Sequence, residues 1–381
     1  MQCDVDIAYE QEIPPPIRRT VNEPVNRRRP LRRAGMGLGA LTLFLIGLQF
    51  VKGGVAGLAP KLDVWLPVLI RDAPSALGAG WLAAYLLFNG SVVAAIGLTL
   101  YEAALVPASH LLLVIFGSRL GAAGIVLVVG LADLVHNRSL TVRRASEVGI
   151  LTFLVTHTTG VPAILFAWAL TGWGAVKGDA AVEQAPPWAF SIPHPIEQAA
   201  EALVSFTGPL AALAAGVLLL LAALRLFNRV FVEADFEHLR TRYGRVLKSR
   251  WIAAGSGLAL TMLTTSIAFS LGIIVPIYNR GFLRRREIIP YILGANVGTF
   301  VDTLAVSLFI ERTGSLEAVL LATGSTALVT LPALVLFGAY RSAIERLTDG
   351  VMRRPRSFAF FLLVLVAVPL GLLRVGTWIG S

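Results

Sequence analysis

The sequence predicts an all-α integral membrane protein, on the basis of its composition, its apolar runs and the placement of charge. Of the 381 residues, 56% are hydrophobic and 15% are charged, whereas soluble domains are about half apolar and about a quarter charged. The apolar residues form several runs of about 20 residues, the length of a membrane-spanning helix. Arginines cluster between these runs, as they do in cytoplasmic loops. The net charge of +10 therefore indicates loops at the cytoplasmic surface, and no binding to nucleic acid is expected.

Residues 1–33 are predicted to form a disordered basic tail in the cytoplasm. A run of three prolines at 14–16 is followed by seven arginines between Arg18 and Arg33, and the segment has too few apolar residues to form a core. Because the arginines directly precede the first apolar run, we expect the N-terminus in the cytoplasm. Cys3 is the only cysteine, so an internal disulfide is excluded.

The apolar runs divide the rest of the chain into two similar halves. Residues 34–176 form the first expected transmembrane repeat, 177–195 an extracytoplasmic loop, and 196–340 the second repeat. Residues 341–381 are expected to form a basic loop and a final transmembrane helix. A short interfacial helix is expected at 196–206, and spans at 36–52, 109–136 (with a weak centre), 146–174, 208–228, 288–311, 315–340 and 358–379.

Two further apolar segments are interrupted in the middle. Segment 75–107 is interrupted by polar and small residues at 89–91, and segment 251–279 at 264–266. Basic clusters flank 251–279 on both sides, so we expect it to enter and leave the membrane from the cytoplasm as a re-entrant hairpin. Counting the crossings places both ends of 75–107 outside. The two hairpins are therefore expected to have opposite orientations, as in an inverted repeat.

The sequence contains internal matches that agree with this repeat. A shift of 175 residues (266 − 91) pairs Ser91 with Ser266 in the two interrupted segments. A shift of 177 residues (294 − 117) then pairs Gly117 with Gly294 in the spans that follow. Because these matches share nearly one spacing, we predict an inverted repeat with a two-residue slip between its parts.

The stretch YILGANVGTFVDTLAVSL, residues 291–308, carries small, polar and acidic residues where a lipid-facing span carries large apolar ones. Repeat-built transporters place broken helices near the bilayer midplane, where free N–H groups at helix N-termini bind anions. Asn296 and Thr299 would then offer polar contacts, and Asp302 could hold a cation. Alternatively, the spacing of Gly294 and Gly298 marks tight packing between helices.

Arg119 is the second ionisable residue expected at membrane depth. It is paired with Asn296 by the 177-residue shift (296 − 119). A buried arginine is costly unless it is paired or faces water. Its planar guanidinium suits a phosphate-type oxyanion, but it could instead form a structural ion pair with Asp302 or Asp133.

Several stretches resemble the type II sodium/phosphate cotransporter family. ILGANVGTFVDTL at 292–304 resembles the GANIGTT signature of that family, and LTTSIA at 263–268 falls where the family carries LQSSSA. FNGSVV at 88–93 occupies the same place in the first half, and LTLFLIGLQFVKGGVAGLAPKL at 41–62 looks like the first span of the family. The resemblance extends over roughly residues 36–340.

The resemblance implies a fold of two inverted repeats, each with a re-entrant helical hairpin and broken helices, followed by a C-terminal helix. It also implies sodium-coupled symport of inorganic phosphate by a multi-pass protein of the inner (plasma) membrane. The protein would have no catalytic residue, metal site or cofactor, and Na⁺ would be the coupling ion. The implied substrate-binding residues are Asn89, Gly90, Ser91, Arg119, Thr264, Thr265, Ser266 and Asn296, and the implied ion-binding residues are Thr299 and Asp302.

The motifs depart from the family in ways that leave two alternatives open. Only one serine remains in each hairpin motif, Ser91 and Ser266. The chain could therefore be a membrane protein that keeps the fold without transport, or a carrier of another small anion driven by protons. Weaker candidates for proton coupling are Glu102, His110 and His157, and the oligomeric state is not determined by the sequence.

Overall fold

A computed structural model describes residues 28–136, 141–172, 190, 194–232, 249–279 and 281–379. These residues are almost entirely helical, and the described part of the chain contains no strand. Most of the expected N-terminal tail and of the 177–195 loop lies outside the described residues, as does the basic stretch 233–248.

Fourteen helices are described. Seven segments are long and apolar enough to cross a membrane, namely α1, α4, α5, α7, the combined α10–α11, α12 and α14. The bounds are α1 Arg28–Leu69, α2 Ala73–Leu87, α3 Gly90–Glu102, α4 Ala108–His136, α5 Val142–Gly172, α6 His194–Thr207, α7 Pro209–Val232, α8 Arg250–Thr264, α9 Ile267–Asn279, α10 Arg285–Gly298, α11 Val301–Ser307, α12 Ser315–Val335, α13 Phe337–Arg353 and α14 Pro355–Ile379.

Burial separates a central helix from the peripheral ones. In the most apolar window of α4, 89% of the residues are buried, whereas the corresponding value is 28% for α1 and α7 and 17% for α14. α4 packs against α2, α3, α5, α9 and α12. The centre of the bundle therefore lies along α4, and α1, α7 and α14 present their apolar side chains to lipid.

Two expectations about the bundle need correction. The first span does not end near residue 52, since α1 continues as one helix of 42 residues to Leu69. The basic segment 341–356 is not a loop but largely helix α13. Ile344, Thr348 and Met352 are buried at intervals of one turn along α13, and this amphipathic pattern explains why a charged segment forms a helix.

The interrupted segments 75–107 and 251–279 each form two helices separated by a short break. At both breaks one non-glycine residue takes a left-handed conformation, Phe88 with φ 53° and Thr265 with φ 52°. Asn89 caps α3 because its Oδ1 accepts hydrogen bonds from the backbone N–H groups of Ser91 (2.9 Å) and Val92 (3.1 Å). The interruptions predicted at 89–91 and 264–266 are confirmed in position.

The bounds of these helices recur at one constant interval. α2 and α8 begin 177 residues apart (250 − 73), as do α3 and α9 (267 − 90) and α4 and α10 (285 − 108). At this interval Asn89 corresponds to Ser266 (266 − 89). The two side chains have the same role, since Ser266 accepts a hydrogen bond from the N–H of Phe269 and Asn89 accepts one from the N–H of Val92. The pairing of Ser91 with Ser266 expected from the sequence uses an interval of 175 residues (266 − 91), two fewer than the interval between the helix bounds.

Close helix packing also repeats at this interval. A Cβ atom on Gly117 would collide with the backbone oxygen of Leu77, and one on Gly294 with that of Ala254. Added Cβ atoms on Gly121 and Gly298 would each lie 2.5 Å from a backbone oxygen of the same neighbouring helices. The glycines therefore bring α4 against α2 and α10 against α8, as small residues do in membrane helices. For these glycines the packing interpretation holds.

Candidate functional site

Arg119 and Asp302 form a buried ion pair at the centre of the bundle. Arg119 Nη2 lies 2.8 Å from Asp302 Oδ1, and the two side chains are 6% and 5% exposed. The guanidinium also donates from Nη1 to Thr299 Oγ1 at 3.1 Å and from Nη2 to Thr303 Oγ1. Asp133 is not its partner, since that carboxylate accepts from Asn279. Of the two partners considered from the sequence, the structure selects Asp302.

The short break between α10 and α11 provides the partners of Arg119. α10 ends at Gly298 and α11 begins at Val301, so Asp302 lies in the first turn of α11. Its Oδ1 also accepts from the backbone N–H of Thr303 at 2.5 Å and from Thr303 Oγ1 at 2.9 Å. Among the described residues, Asp302 Oδ2 and Arg119 Nε have no hydrogen-bond partner. One atom of each charged group therefore lacks a hydrogen-bond partner among the described residues.

Asn296 lies 177 residues after Arg119 (296 − 119), the interval that also separates the helix bounds. Its Oδ1 accepts a hydrogen bond from Thr156 Oγ1 at 2.9 Å. Its Nδ2 is buried and has no partner among the described residues. Because a buried N–H group without an acceptor is costly, this side chain is an available hydrogen-bond donor.

Arg119 and Asn296 line the same cavity. The cavity lies between α4, α5, α10 and α12, next to Ile267 at the start of α9. The side chains of Phe116 and Phe300 form an apolar part of the wall, and the guanidinium carbon of Arg119 lies 5.3 Å from the Phe300 ring centre. The polar lining residues are Arg119, Thr156, Thr159, Asn296, Thr299 and Thr326.

The two helix breaks meet beside this cavity. Ser91 Oγ donates a hydrogen bond to the backbone oxygen of Thr265 at 3.0 Å, which joins the first break directly to the second. A Cβ atom on Gly90 would lie 2.6 Å from the backbone oxygen of Ser118 in α4, so only glycine fits there. The N-termini of α3 and α9 are therefore held close together at the centre of the fold.

The expected site residues fall into two groups in the structure. Arg119, Asn296 and Thr299 line the cavity, and Asp302 contacts it through Arg119. The others belong to the breaks rather than to the cavity wall. Asn89, Gly90, Ser91, Thr264, Thr265 and Ser266 form the breaks or their caps, where Thr264 donates to the backbone oxygen of Leu260.

Sequence reasoning missed the threonines that complete the cavity wall. Thr156 on α5 and Thr326 on α12 each lie six residues before a proline inside the same helix, Pro162 and Pro332 (162 − 156 and 332 − 326). This shared spacing is the signal that could have identified them. His157, next to Thr156, stacks on Phe153 with ring centres 3.7 Å apart and does not line the cavity.

The proton-coupling candidate Glu102 is engaged elsewhere. It forms an ion pair with Lys52 at 2.9 Å and accepts from the backbone N–H of Glu311 at 3.2 Å. Within the described part of the chain, no group of three or more His, Cys, Asp or Glu side chains could hold a metal ion.

The helical bundle and its buried polar centre define a multi-pass membrane protein. Residues 219–366 match the family model described as Na⁺/Pi-cotransporter, which confirms the resemblance to the sodium/phosphate cotransporter family, a family of transporters. The match covers the stretch from α7 to α14 and includes Asn296, Thr299 and Asp302. Comparison of the chain with curated proteins and with solved structures gave no significant match.

Proposed function

We propose that this chain is a secondary carrier for inorganic phosphate or a closely similar oxyanion, coupled to Na⁺. The main support is a set of unpaired polar atoms on two residues that line the cavity, Arg119 and Asn296, and on Asp302, which is paired with Arg119. Arg119 Nε and Asn296 Nδ2 are buried donors, and Asp302 Oδ2 is a buried acceptor, each without a partner among the described residues. Donors on a guanidinium and an amide suit an oxyanion, and carboxylate and hydroxyl oxygens suit a hard cation. Na⁺ is the only ion that we propose as a coupling partner.

The repeated helix bounds support an inverted arrangement of the two halves. α3 ends at Glu102, just before α4 begins at Ala108, whereas Asn279 at the end of α9 contacts Asp133 near the end of α4. α4 has 29 residues, which corresponds to about 43 Å at 1.5 Å per residue. The two broken helix pairs therefore approach the cavity from opposite ends of a helix long enough to cross the membrane, as re-entrant hairpins of opposite orientation would.

Two equivalent clamps hold the outer ends of α3 and α9. Arg312 donates to the backbone oxygen of Tyr101 at 2.6 Å and its guanidinium lies 4.4 Å from the Tyr101 ring centre. Arg144 does the same to Tyr278, at 2.8 Å and 4.0 Å. The tyrosines are 177 residues apart (278 − 101). Each hairpin is thus held by an arginine of the other half, Arg312 just before α12 or Arg144 in the first turn of α5, and these contacts join the two halves.

Thiol labelling tests the orientation. In a background with Cys3→Ser, we expect Arg71→Cys, before α2, to react with an impermeant thiol reagent added to intact cells, and Arg284→Cys, after α9, to react only after permeabilisation. Both side chains are exposed. Glu311→Cys, in the loop after α11, serves as the reference for the labelling of a residue on the outer surface. Equal labelling of Arg71→Cys and Arg284→Cys in intact cells would exclude the inverted arrangement.

Uptake by proteoliposomes tests the transport activity. We expect the wild-type protein to accumulate radiolabelled phosphate under an inward Na⁺ gradient and to do so at least about tenfold less with Asn296→Ala, because one good hydrogen bond to a charged ligand contributes about 1.5–3 kcal/mol. Thr323→Val is the matched control, since Thr323 lies on α12 but does not line the cavity. If a proton gradient without Na⁺ drives uptake equally well, the coupling ion is H⁺ rather than Na⁺. Absence of uptake of any small oxyanion would favour a protein that keeps the fold without transport.

A further inference from the structure

We propose that the Arg119–Asp302 pair is the coupling element of the carrier: the anion displaces Asp302 from Arg119, and the cation displaces Arg119 from Asp302. This inference rests on the proposed function, and it assigns the coupling to one exchange of partners. In the observed structure each side chain acts as the ligand of the other. The Asp302 carboxylate binds the Arg119 guanidinium at the position where an oxyanion would bind. The guanidinium in turn binds the carboxylate where a cation would bind.

One nitrogen of Arg119 and one oxygen of Asp302 have no hydrogen-bond partner among the described residues. Both Nη atoms of Arg119 donate to residues 299–303, whereas Nε has no partner among the described residues, and Arg119 lines the same cavity as Asn296. On Asp302, Oδ1 accepts every bond and only Oδ2 is open. An anion can begin to bind through Arg119 Nε and Asn296 without breaking the pair. A two-point contact with the guanidinium requires the carboxylate to withdraw.

Charge balance makes the two displacements interdependent. The pair is neutral, and both side chains are buried. Binding of an anion alone leaves the Asp302 carboxylate without its cationic partner, and binding of a cation alone leaves Arg119 without its anionic partner. An unpaired charge in a buried site is strongly unfavourable, whereas binding of both ions provides each side chain with a new partner. The affinity for either ion therefore rises when the other is present, and by the same factor.

The 177-residue interval relates the Arg119–Asp302 pair to no second ion pair. The position equivalent to Arg119 is Asn296, and the position equivalent to Asp302 is Ile125 (302 − 177). Both charges thus belong to a single site between α4 and α11, although the surrounding helices are duplicated. We therefore infer one monovalent cation at this site for each anion bound.

Phosphate binding to the purified full-length protein at varied Na⁺ concentration tests the exchange. For the wild type we expect the Kd for phosphate to fall at least tenfold from Na⁺-free to saturating Na⁺. Asp302→Asn removes the internal competitor, so it should bind phosphate without Na⁺ at least as tightly as the wild type does with Na⁺, and Na⁺ should no longer change the Kd. Thr323→Val should behave like the wild type.

A second variant keeps the test decisive if Asp302→Asn does not fold. The Thr303 hydroxyl accepts from Arg119 and donates to Asp302, so Thr303→Val weakens the pair without removing a charge. We expect Thr303→Val to tighten Na⁺-free phosphate binding several-fold. An unchanged Na⁺ dependence in Asp302→Asn, or weaker Na⁺-free binding in Thr303→Val, would overturn the exchange. Failure of the wild type to bind phosphate under any condition would instead refute the proposed function, and the exchange with it.

Discussion

Arg119→Met lowers the free energy of unfolding by about 3–5 kcal/mol, because it leaves the buried Asp302 carboxylate without its partner. Asp302→Leu has a similar effect for the opposite reason, since it leaves a buried guanidinium. Both side chains are about 95% buried, so little water can compensate the remaining charge. The double variant Arg119→Met/Asp302→Leu is expected to unfold close to the wild type, because replacing a whole buried pair by apolar residues is often neutral or stabilising.

Thermal unfolding of the four proteins in detergent measures this double-mutant cycle. Arg341→Met provides the control, because Arg341 pairs with Glu345 across 3.6 Å with both side chains about a third exposed, and exposed pairs contribute only about 0–1 kcal/mol. A double variant as unstable as either single one would show that the pair is not held by charge. Loss of phosphate uptake in a stable double variant would then separate the function of the pair from its effect on stability.

Gly294→Ala destabilises the protein by about 1–3 kcal/mol, the typical cost of adding a methyl group to a fully packed contact. The new Cβ collides with the backbone oxygen of Ala254, so α8 and α10 must move apart. The neighbour is backbone rather than a flexible side chain, and a change of rotamer cannot relieve the collision. Gly117→Ala, at the equivalent contact of α4 with Leu77 in α2, is expected to have the same effect.

Two exposed helical glycines serve as controls for this prediction. Gly255 on α8 and Gly324 on α12 have no heavy atom within 4 Å of an added Cβ. Alanine at these positions should leave stability unchanged or raise it by up to about 1 kcal/mol, because glycine is the poorer helix former. Gly294→Ala unfolding at the same temperature as Gly324→Ala would mean that α8 and α10 are not in backbone contact.

The positions of the helix breaks could be predicted from the sequence, but their register could not. Polar and small residues within an apolar run mark a break directly, because lipid-exposed backbone groups need partners. The correspondence of Asn89 with Ser266 at the 177-residue interval follows instead from which side chain accepts from the N–H group three residues later. That choice is decided by the backbone geometry after Phe88 and Thr265, and in a chain rich in Ala and Gly the sequence matches favoured a register two residues away.

The residues of the candidate site could also be predicted only in part from the sequence. Arg119, Asn296 and Asp302 could be singled out from the sequence, because ionisable and amide side chains within apolar runs are unfavourable unless they have a function or a partner. The choice of Asp302 over Asp133 as the partner of Arg119 could not be made, and neither could the inclusion of Thr326 in the cavity wall. Ser and Thr are common in apolar helices, so a hydroxyl that lines a cavity looks in the sequence like one that bonds its own backbone.

The sequence by itself determined that this chain crosses the membrane several times, where its helices break and which motif relates it to the sodium/phosphate cotransporters. These properties depend on the local balance of apolar and polar side chains and on a short motif around Asn296. Only the tertiary structure decided that Arg119 and Asp302, 183 residues apart in the chain (302 − 119), neutralise each other beside a cavity lined by four helices. That pairing depends on how α4 and the segment α10–α11 pack in the bundle, because distances of about 3 Å between two groups are set by packing rather than by composition.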